Sequence, residues 1–196
     1  MLTRANVFGL IVAMLLVLTL IPGAPATAAS PPMNLAHPLF SVVDSNAGWE
    51  EVGTGSASGG GISDNSGASR YPSMAIAPNG TPYVAWRDDN GGNGEIYVRR
   101  WNGSSWEGVG TGSASGGGIS DNSGSSAFPS VAIAPDGTPH VAWQDYSGGG
   151  DYEIYVRRWS GSTWEEVGLG SASGGGISDN SGGSYAPSVE IGRAHV

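Results

Sequence analysis

The stretch PSVAIAPDGTPHVAWQDYSGGGDYEIYVRRWSGSTW, Pro129–Trp164, decides the fold. It contains three short apolar runs, each rich in Val, Ile, Ala, Tyr or Trp, and each bounded by Gly, Asp, Asn or Ser. SVAIA runs into the Asp136-Gly137 pair, one of the strongest short hairpin signals, because both residues tolerate positive φ. VAWQD, a Gly-rich loop and EIYVRRW follow, and SGST then turns the chain into a last short strand at Trp164. No 3.6-residue periodicity persists, so the stretch predicts a four-stranded antiparallel meander of strands about 5–6 residues long.

The same pattern stands earlier in the chain, from Tyr71 to about Gly112: SMAIA (Ser73–Ala77), the Asn79-Gly80 turn, YVAWRD (Tyr83–Asp88), EIYVRRW (Glu95–Trp101), the NGSS turn and WEGVG. Val84 and Trp86 are expected on one face of their strand. Ile96 and Val98 share a face of theirs, with Tyr97 and Arg99 on the other. WEEVG, WEGVG and WEEVG open at Trp49, Trp106 and Trp164, spacings of 57 and 58. Meanders repeated at that period predict an all-β chain, a partial β-propeller of four-stranded antiparallel blades, with two full blades plus fragments. A β-solenoid is the alternative; its repeats are usually shorter and lack paired hairpin turns.

Between the meanders, SASGGGISDNSG occurs three times without change, at Ser56–Gly67, Ser113–Gly124 and Ser171–Gly182. The strands it separates have drifted: Tyr83 becomes His140, Arg87 becomes Gln144 and Met74 becomes Val131. A segment held constant while its neighbours change is expected to have a fixed task. Its oxygen-rich residues make Asp64, Asn65, Asp121, Asn122, Asp179 and Asn180 candidate ligand contacts, and Asp64, Asp121 and Asp179 weak Ca²⁺ candidates. One carboxylate per copy is thin for an ion that takes 6–8 oxygens, so the competing expectation is an Asx-turn built on Asp64. No other cofactor is implied.

Before the repeats, Arg4, the apolar stretch Val7–Ile21 and the A-x-A pattern at Ala26 and Ala28 predict a signal peptide over residues 1–28, shorter than the ~20 apolar residues of a membrane span. A flexible segment is expected over 29–46 and the propeller repeats over 47–189. The third unit starts at YAPSV and stops; residues 190–196, ending IGRAHV, read as a sequencing-adapter frame on a truncated gene. The expected location is extracytoplasmic, secreted or at the cell surface, with no membrane insertion after cleavage. Without the leader, seven Arg face 17 acids, a net charge of −10, which argues against a nucleic-acid groove. Cysteine is absent, so the fold depends on its core rather than on disulfides.

The remaining chemistry is sparse. Asp88-Asp89 is not a repeated carboxylate pair, since Asp89 becomes Tyr146, and Asp88 is expected to cap a turn. His37 and His140 lack metal-ligand companions. The NGT and NGS sequons at Asn79 and Asn102 sit on hairpin turns. Arg99-Arg100 and Arg157-Arg158 recur in register, as expected for strand-edge residues paired with acids such as Glu95 or Glu107. Aromatics at Trp86 and Trp143 are candidate stacking platforms for sugar rings, whereas most of the seven Trp are expected to fill inter-blade space. No catalytic residue emerges.

The unit from Pro129 to Trp164 resembles the repeats of sialidase-like (BNR-type) β-propellers: a Pro-led first strand, VAW-x-D in the second, a Gly-rich loop and EIY in the third. RRWNGSSW departs from that family's Asp-box, with Trp101 where the Asp would fall. The resemblance implies a propeller fold. It leaves a glycan- or protein-binding module as the main functional expectation, with a glycoside hydrolase whose catalytic residues lie elsewhere, or an adhesion scaffold, as alternatives.

Overall fold

The structure is a computed structural model that describes residues 48–90, 92–147 and 149–192. The signal peptide, the 29–46 segment and residues 193–196 of the expected tail lie outside the described residues.

Eight strands form two four-stranded antiparallel sheets, each a simple meander. The first sheet holds β1 (Ser69–Ile76), β2 (Pro82–Asp88), β3 (Glu95–Trp101) and β4 (Trp106–Gly108); the second holds β5 (Ser126–Ile133), β6 (Pro139–Asp145), β7 (Glu153–Trp159) and β8 (Trp164–Glu166). Registers are repeated position for position, with Trp86 opposite Tyr97 and Trp143 opposite Tyr155. No helix occurs among the described residues.

Two differences from expectation have local causes. The inner strands begin earlier than SMAIA and SVAIA suggest, because each contains a bulge, between Arg70 and Ser73 in β1 and between Ala127 and Ser130 in β5. At the bulge sits the residue before proline, Tyr71 at φ 55 and Phe128 at φ 53; Ala186 repeats the feature at φ 47. Bulky residues rarely adopt such a conformation, and here it turns the ring out of the ladder. The outer strands are cut to three residues because the chain leaves β3 after Gly108 and returns to it farther along, as described below.

The second sheet packs on the first, with β5 against β1, β2 and β3. Ala85, Ile96 and Val98 from one side and Val131, Val141 and Trp143 from the other share one core. The opposite face of the first sheet buries Val84, Trp86 and Tyr97 under Ile62 of the first connector. β2 is therefore buried on both faces. Burying a ring the size of Trp143 removes roughly 200 Å² from water, ~5 kcal/mol before entropic costs.

Candidate functional site

Each SASGGGISDNSG copy is a clasp with two sides, and the middle copy shows both. Its front half lies on the free edge of β3, beyond the short β4. Val98 N donates to Ser113 O at 2.7 Å, Ile119 N to Ile96 O at 2.8 Å, and Ile96 N to Ser120 Oγ at 2.9 Å. Tyr97 Oη donates to Gly116 O. Gly118, at φ +62, passes so close that an added Cβ would lie 2.2 Å from Ile96 O. Ser120 Oγ also donates to the Glu95 carboxylate. The rear half crosses to the second sheet: Asn122 Nδ2 donates to Asp145 Oδ2 at 2.8 Å, and Arg157 Nη1 donates to Ile119 O at 2.7 Å.

Asp145 is the point that receives the clasp. Fully buried at the end of β6, it accepts from Asn122, Ser126 Oγ (2.7 Å), Trp143 Nε1 (2.9 Å) and the Ser147 N–H (2.8 Å). Asp88 does the same in the first sheet, accepting from Asn65, Ser69, Trp86 and the Asn90 N–H. The bond to Asn90 N–H is the turn cap expected of Asp88. Burial works to raise the Asp88 carboxyl, but these four donors outweigh it and hold it below the usual carboxylate range.

Two expectations about named residues change here. Trp86 and Trp143 are 3% and 0% exposed, with indole N–H groups committed to Asp88 and Asp145. Neither offers a ring face to a sugar. The Asx-turn belongs to the asparagine rather than the aspartate: Asn65 Oδ1, Asn122 Oδ1 and Asn180 Oδ1 accept from the N–H of Gly67, Gly124 and Gly182 at 2.7–2.8 Å. Asp64, Asp121 and Asp179 hold φ of 35–37, a left-handed conformation that Asp enters more readily than most residues. Their carboxylates fold back over Gly60, Gly117 and Gly175, where a Cβ would lie 2.0–2.2 Å from Oδ1. That close approach explains a glycine at each of these positions.

As Ca²⁺ ligands the three aspartates stand apart. No group of three or more His, Cys, Asp or Glu among the described residues is placed to hold a metal ion. Asp179 lines an open cleft of about 400 Å³ shared with Asp151, Glu153 and Asn180. A second cleft, of about 410 Å³, lies at the turn end of the first sheet between Asn79, Tyr83, Arg100 and Trp101. Its strongest polar groups are already engaged: Arg100 pairs with Glu107 at 2.9 Å, and Asn79 Oδ1 accepts from the Thr81 N–H.

The arginines divide by role. Arg100 and Arg158 pair with Glu107 and Glu165, while Arg99 and Arg157 donate to the carbonyls of Ile62 and Ile119. Among the described residues no arginine pairs with Glu95, which is 3% exposed at the junction of the sheets. Burial pushes its carboxyl up to about 7, aided by the nearby Asp145 and Asp121 and opposed by the Ser120 hydroxyl. A titrating carboxyl in this range suits acid–base chemistry, but Glu95 is buried under the clasp, with the Ser120 hydroxyl on its carboxylate.

What the sequence reading missed lies at the opposite kind of position, where the repeats differ. At the strand ends beside Asp88 and Asp145, the first sheet carries Asp89 and Gly94 and the second carries Tyr146 and Tyr152. Tyr185, matching Ala127, joins them: ring centroids are 5.1 Å apart for Tyr146–Tyr152 and 5.6 Å for Tyr152–Tyr185. Tyr71 and Phe128, presented by the strained bulges at the same end, stack at 4.0 Å. Tyr71, Phe128, Tyr146 and Tyr185 are all exposed. Aligning the two repeats and marking the positions that became aromatic would have found the tyrosines.

No family model and no curated protein matches this sequence. Among solved structures, a proposed glycosidase from Bacteroides thetaiotaomicron is similar, with a TM-score of 0.36 and 16% identity over 54% of this chain and 33% of that one. A likeness of that size leaves function to be argued from the residues themselves.

Proposed function

We propose that the chain is an extracytoplasmic, non-enzymatic binding module of β-propeller type, related to the sialidase-like repeats it resembles, and that it holds glycans on the aromatic rim of Tyr71, Phe128, Tyr146, Tyr152 and Tyr185. One observation carries this reading. The repeated polar residues Asp88, Asp145, Asn65, Asn122, Glu95 and Arg99 are committed to holding the clasps on the sheets, whereas Tyr146 and Tyr185, which break the repeat, join Tyr71 and Phe128 in supplying exposed rings at one end. Large exposed aromatic groups of this kind mark contact surfaces, and rings stack on the C–H faces of sugars with their hydroxyls left to hydrogen-bond. Two four-stranded meanders packed face to face are what a pair of adjacent blades requires. Export follows from the leader-like N-terminus.

A broad glycan array is the test. The chain is expected to bind, and Tyr146→Ala with Tyr185→Ala is expected to weaken binding at least tenfold, about 1.4 kcal/mol, without lowering the melting temperature. Absence of binding across the array, or binding that ignores both substitutions, removes the rim as a site. Turnover of fluorogenic glycosides would replace the reading with the hydrolase alternative.

A further inference from the structure

The segment Trp49–Gly67 and the segment Trp164–Gly182 differ at a single position, Thr54 against Leu169. They stand at opposite ends of the repeat array, and each lacks the half of the junction that the other has. Trp49–Gly67 clasps the first sheet from its outer face. Trp106 Nε1 donates to Val52 O at 3.0 Å, the Trp101 ring covers Gly53, Arg99 Nη1 donates to Ile62 O, and Asn65 reaches Asp88. At the junction of the sheets, the middle clasp is held by the same set, with Trp164 Nε1 on Val109 O at 2.8 Å and Trp159 over Gly110.

Trp164–Gly182 instead has its own sheet beneath it. Val156 N donates to Ser171 O at 2.7 Å, Ile177 N to Ile154 O at 2.8 Å and Tyr155 Oη to Gly174 O at 2.6 Å. Its outward side is open: Val167 is 47% exposed and Ile177 60%, where their counterparts Val109 and Ile119 in the middle clasp are 2% each. A Cβ on Gly168 would meet nothing, where one on Gly53 or Gly110 would strike a tryptophan. The face that the first sheet turns outward is apolar as well. Met74 and Ile76 are 65% and 56% exposed, while Val131, the counterpart of Met74, is 6% exposed.

We infer that this trailing face binds the leading face of a second copy of the same chain, with Trp164–Gly182 of one copy taking the place of Trp49–Gly67 on the first sheet of the next. The hydrogen bonds and packing that Trp49–Gly67 gives up are those that the incoming segment re-forms, because the two sequences match. The incoming clasp is already ordered by its own sheet, so the exchange frees a segment that had to be ordered for this purpose and covers Met74, Ile76, Val167 and Ile177. The chain after the third clasp now marks the path of the partner's β1: Val189 N donates to Ser130 Oγ as Val131 N does to Ser73 Oγ, and this segment gives way. Repeated head-to-tail contacts are heterologous, so they close into a ring or run on as a filament.

Native mass spectrometry and sedimentation velocity over a concentration series test this on the whole chain. Discrete assemblies of a few copies, dissociating on dilution, are expected. Ile177→Asp on the trailing face is expected to raise the dissociation concentration at least tenfold. Ile62→Asp loosens the leading clasp and is expected to leave association equal or stronger, because the competitor for the first sheet is weakened. Circular dichroism verifies that both variants keep their sheets; if Ile177→Asp does not fold, Val167→Asp, whose counterpart Val109 is buried at the junction, replaces it. A chain that is monomeric at every concentration overturns the inference. So does an equal loss of association in both variants, which is the mark of general stickiness rather than exchange. Neither outcome bears on glycan binding at the rim.

Discussion

Ser113–Gly124 and Ser171–Gly182 are one sequence in two surroundings, and the contrast separates what the segment does from what its neighbours do to it. The serine that begins each copy is buried in both, Ser113 at 1% and Ser171 at 6%, because the preceding sheet covers it. The isoleucine is buried only in the first, Ile119 at 2% against Ile177 at 60%, because only there does a following sheet close over it. The front of the clasp therefore belongs to the sheet it leaves and the rear to the sheet it enters. Identical chemistry at both ends would explain why the twelve residues stay fixed while strand residues such as Tyr83 and His140 diverge.

The largest effect expected from this division is at the isoleucine. Ile119→Ala removes a fully buried side chain from the shared core and is expected to cost about 3–4 kcal/mol in chemical denaturation. Ile177→Ala, at the open copy, is expected to cost under about 0.5 kcal/mol at dilutions where the chain is monomeric. Equal costs at the two positions would break the assignment of the rear half to the following sheet.

The junction also contains a group whose ionisation works against it. Glu95 has its carboxyl raised from 4.5 to about 7, so between those values the folded chain binds a proton that the unfolded chain does not. Stability from this group is present in full below about pH 4.5 and falls as the pH rises through 7. Glu95→Gln keeps an acceptor for the Ser120 hydroxyl and removes the charge. It is expected to stabilise by up to about 3 kcal/mol at pH 8 and to change little at pH 4.5, read as urea midpoints at the two values. A gain independent of pH would mean that Glu95 is not buried between the sheets as its 3% exposure indicates.

Strand order, hairpin turns and the faces of β2 and β3 were legible in the sequence, because period-2 alternation and Asn-Gly or Asp-Gly turns are local signals. Val84 with Trp86, and Ile96 with Val98, lie where alternation puts them. The bulges were not legible: a positive φ at Tyr71 or Phe128 contradicts the residue's own preference and exists only because the surrounding ladder imposes it. At the candidate site, repetition identified the clasp but not its chemistry. Asp64 and Asn65 are both oxygen-bearing neighbours, and which of them turns the chain depends on Asp88, twenty-three residues away. Trp86 and Trp143 were misplaced for a related reason: an amphipathic ring suits a surface or a junction equally well until its N–H has a buried acceptor.

A smaller effect tests the front half, and its pattern across the three copies should reverse that of the isoleucine. Gly61, Gly118 and Gly176 share a φ of 62–64, so alanine at any of them costs about 1 kcal/mol for a left-handed backbone. Space then distinguishes them. A Cβ on Gly118 or Gly176 would lie 2.2 Å from a carbonyl oxygen of the preceding sheet, Ile96 O or Ile154 O, whereas one on Gly61 would meet only Ser56 O at 3.9 Å. Backbone cannot yield as a flexible side chain does, so Gly118→Ala and Gly176→Ala are expected to cost about 2 kcal/mol more than Gly61→Ala. The middle and last copies should behave alike here, although they differ at the isoleucine, because both have a sheet before them and only the middle one has a sheet after. Melting temperatures of the three variants, measured side by side, decide it: if Gly176→Ala tracks Gly61→Ala instead, the last clasp is not seated on β7, and its exposed isoleucine reflects a loose segment rather than an open half.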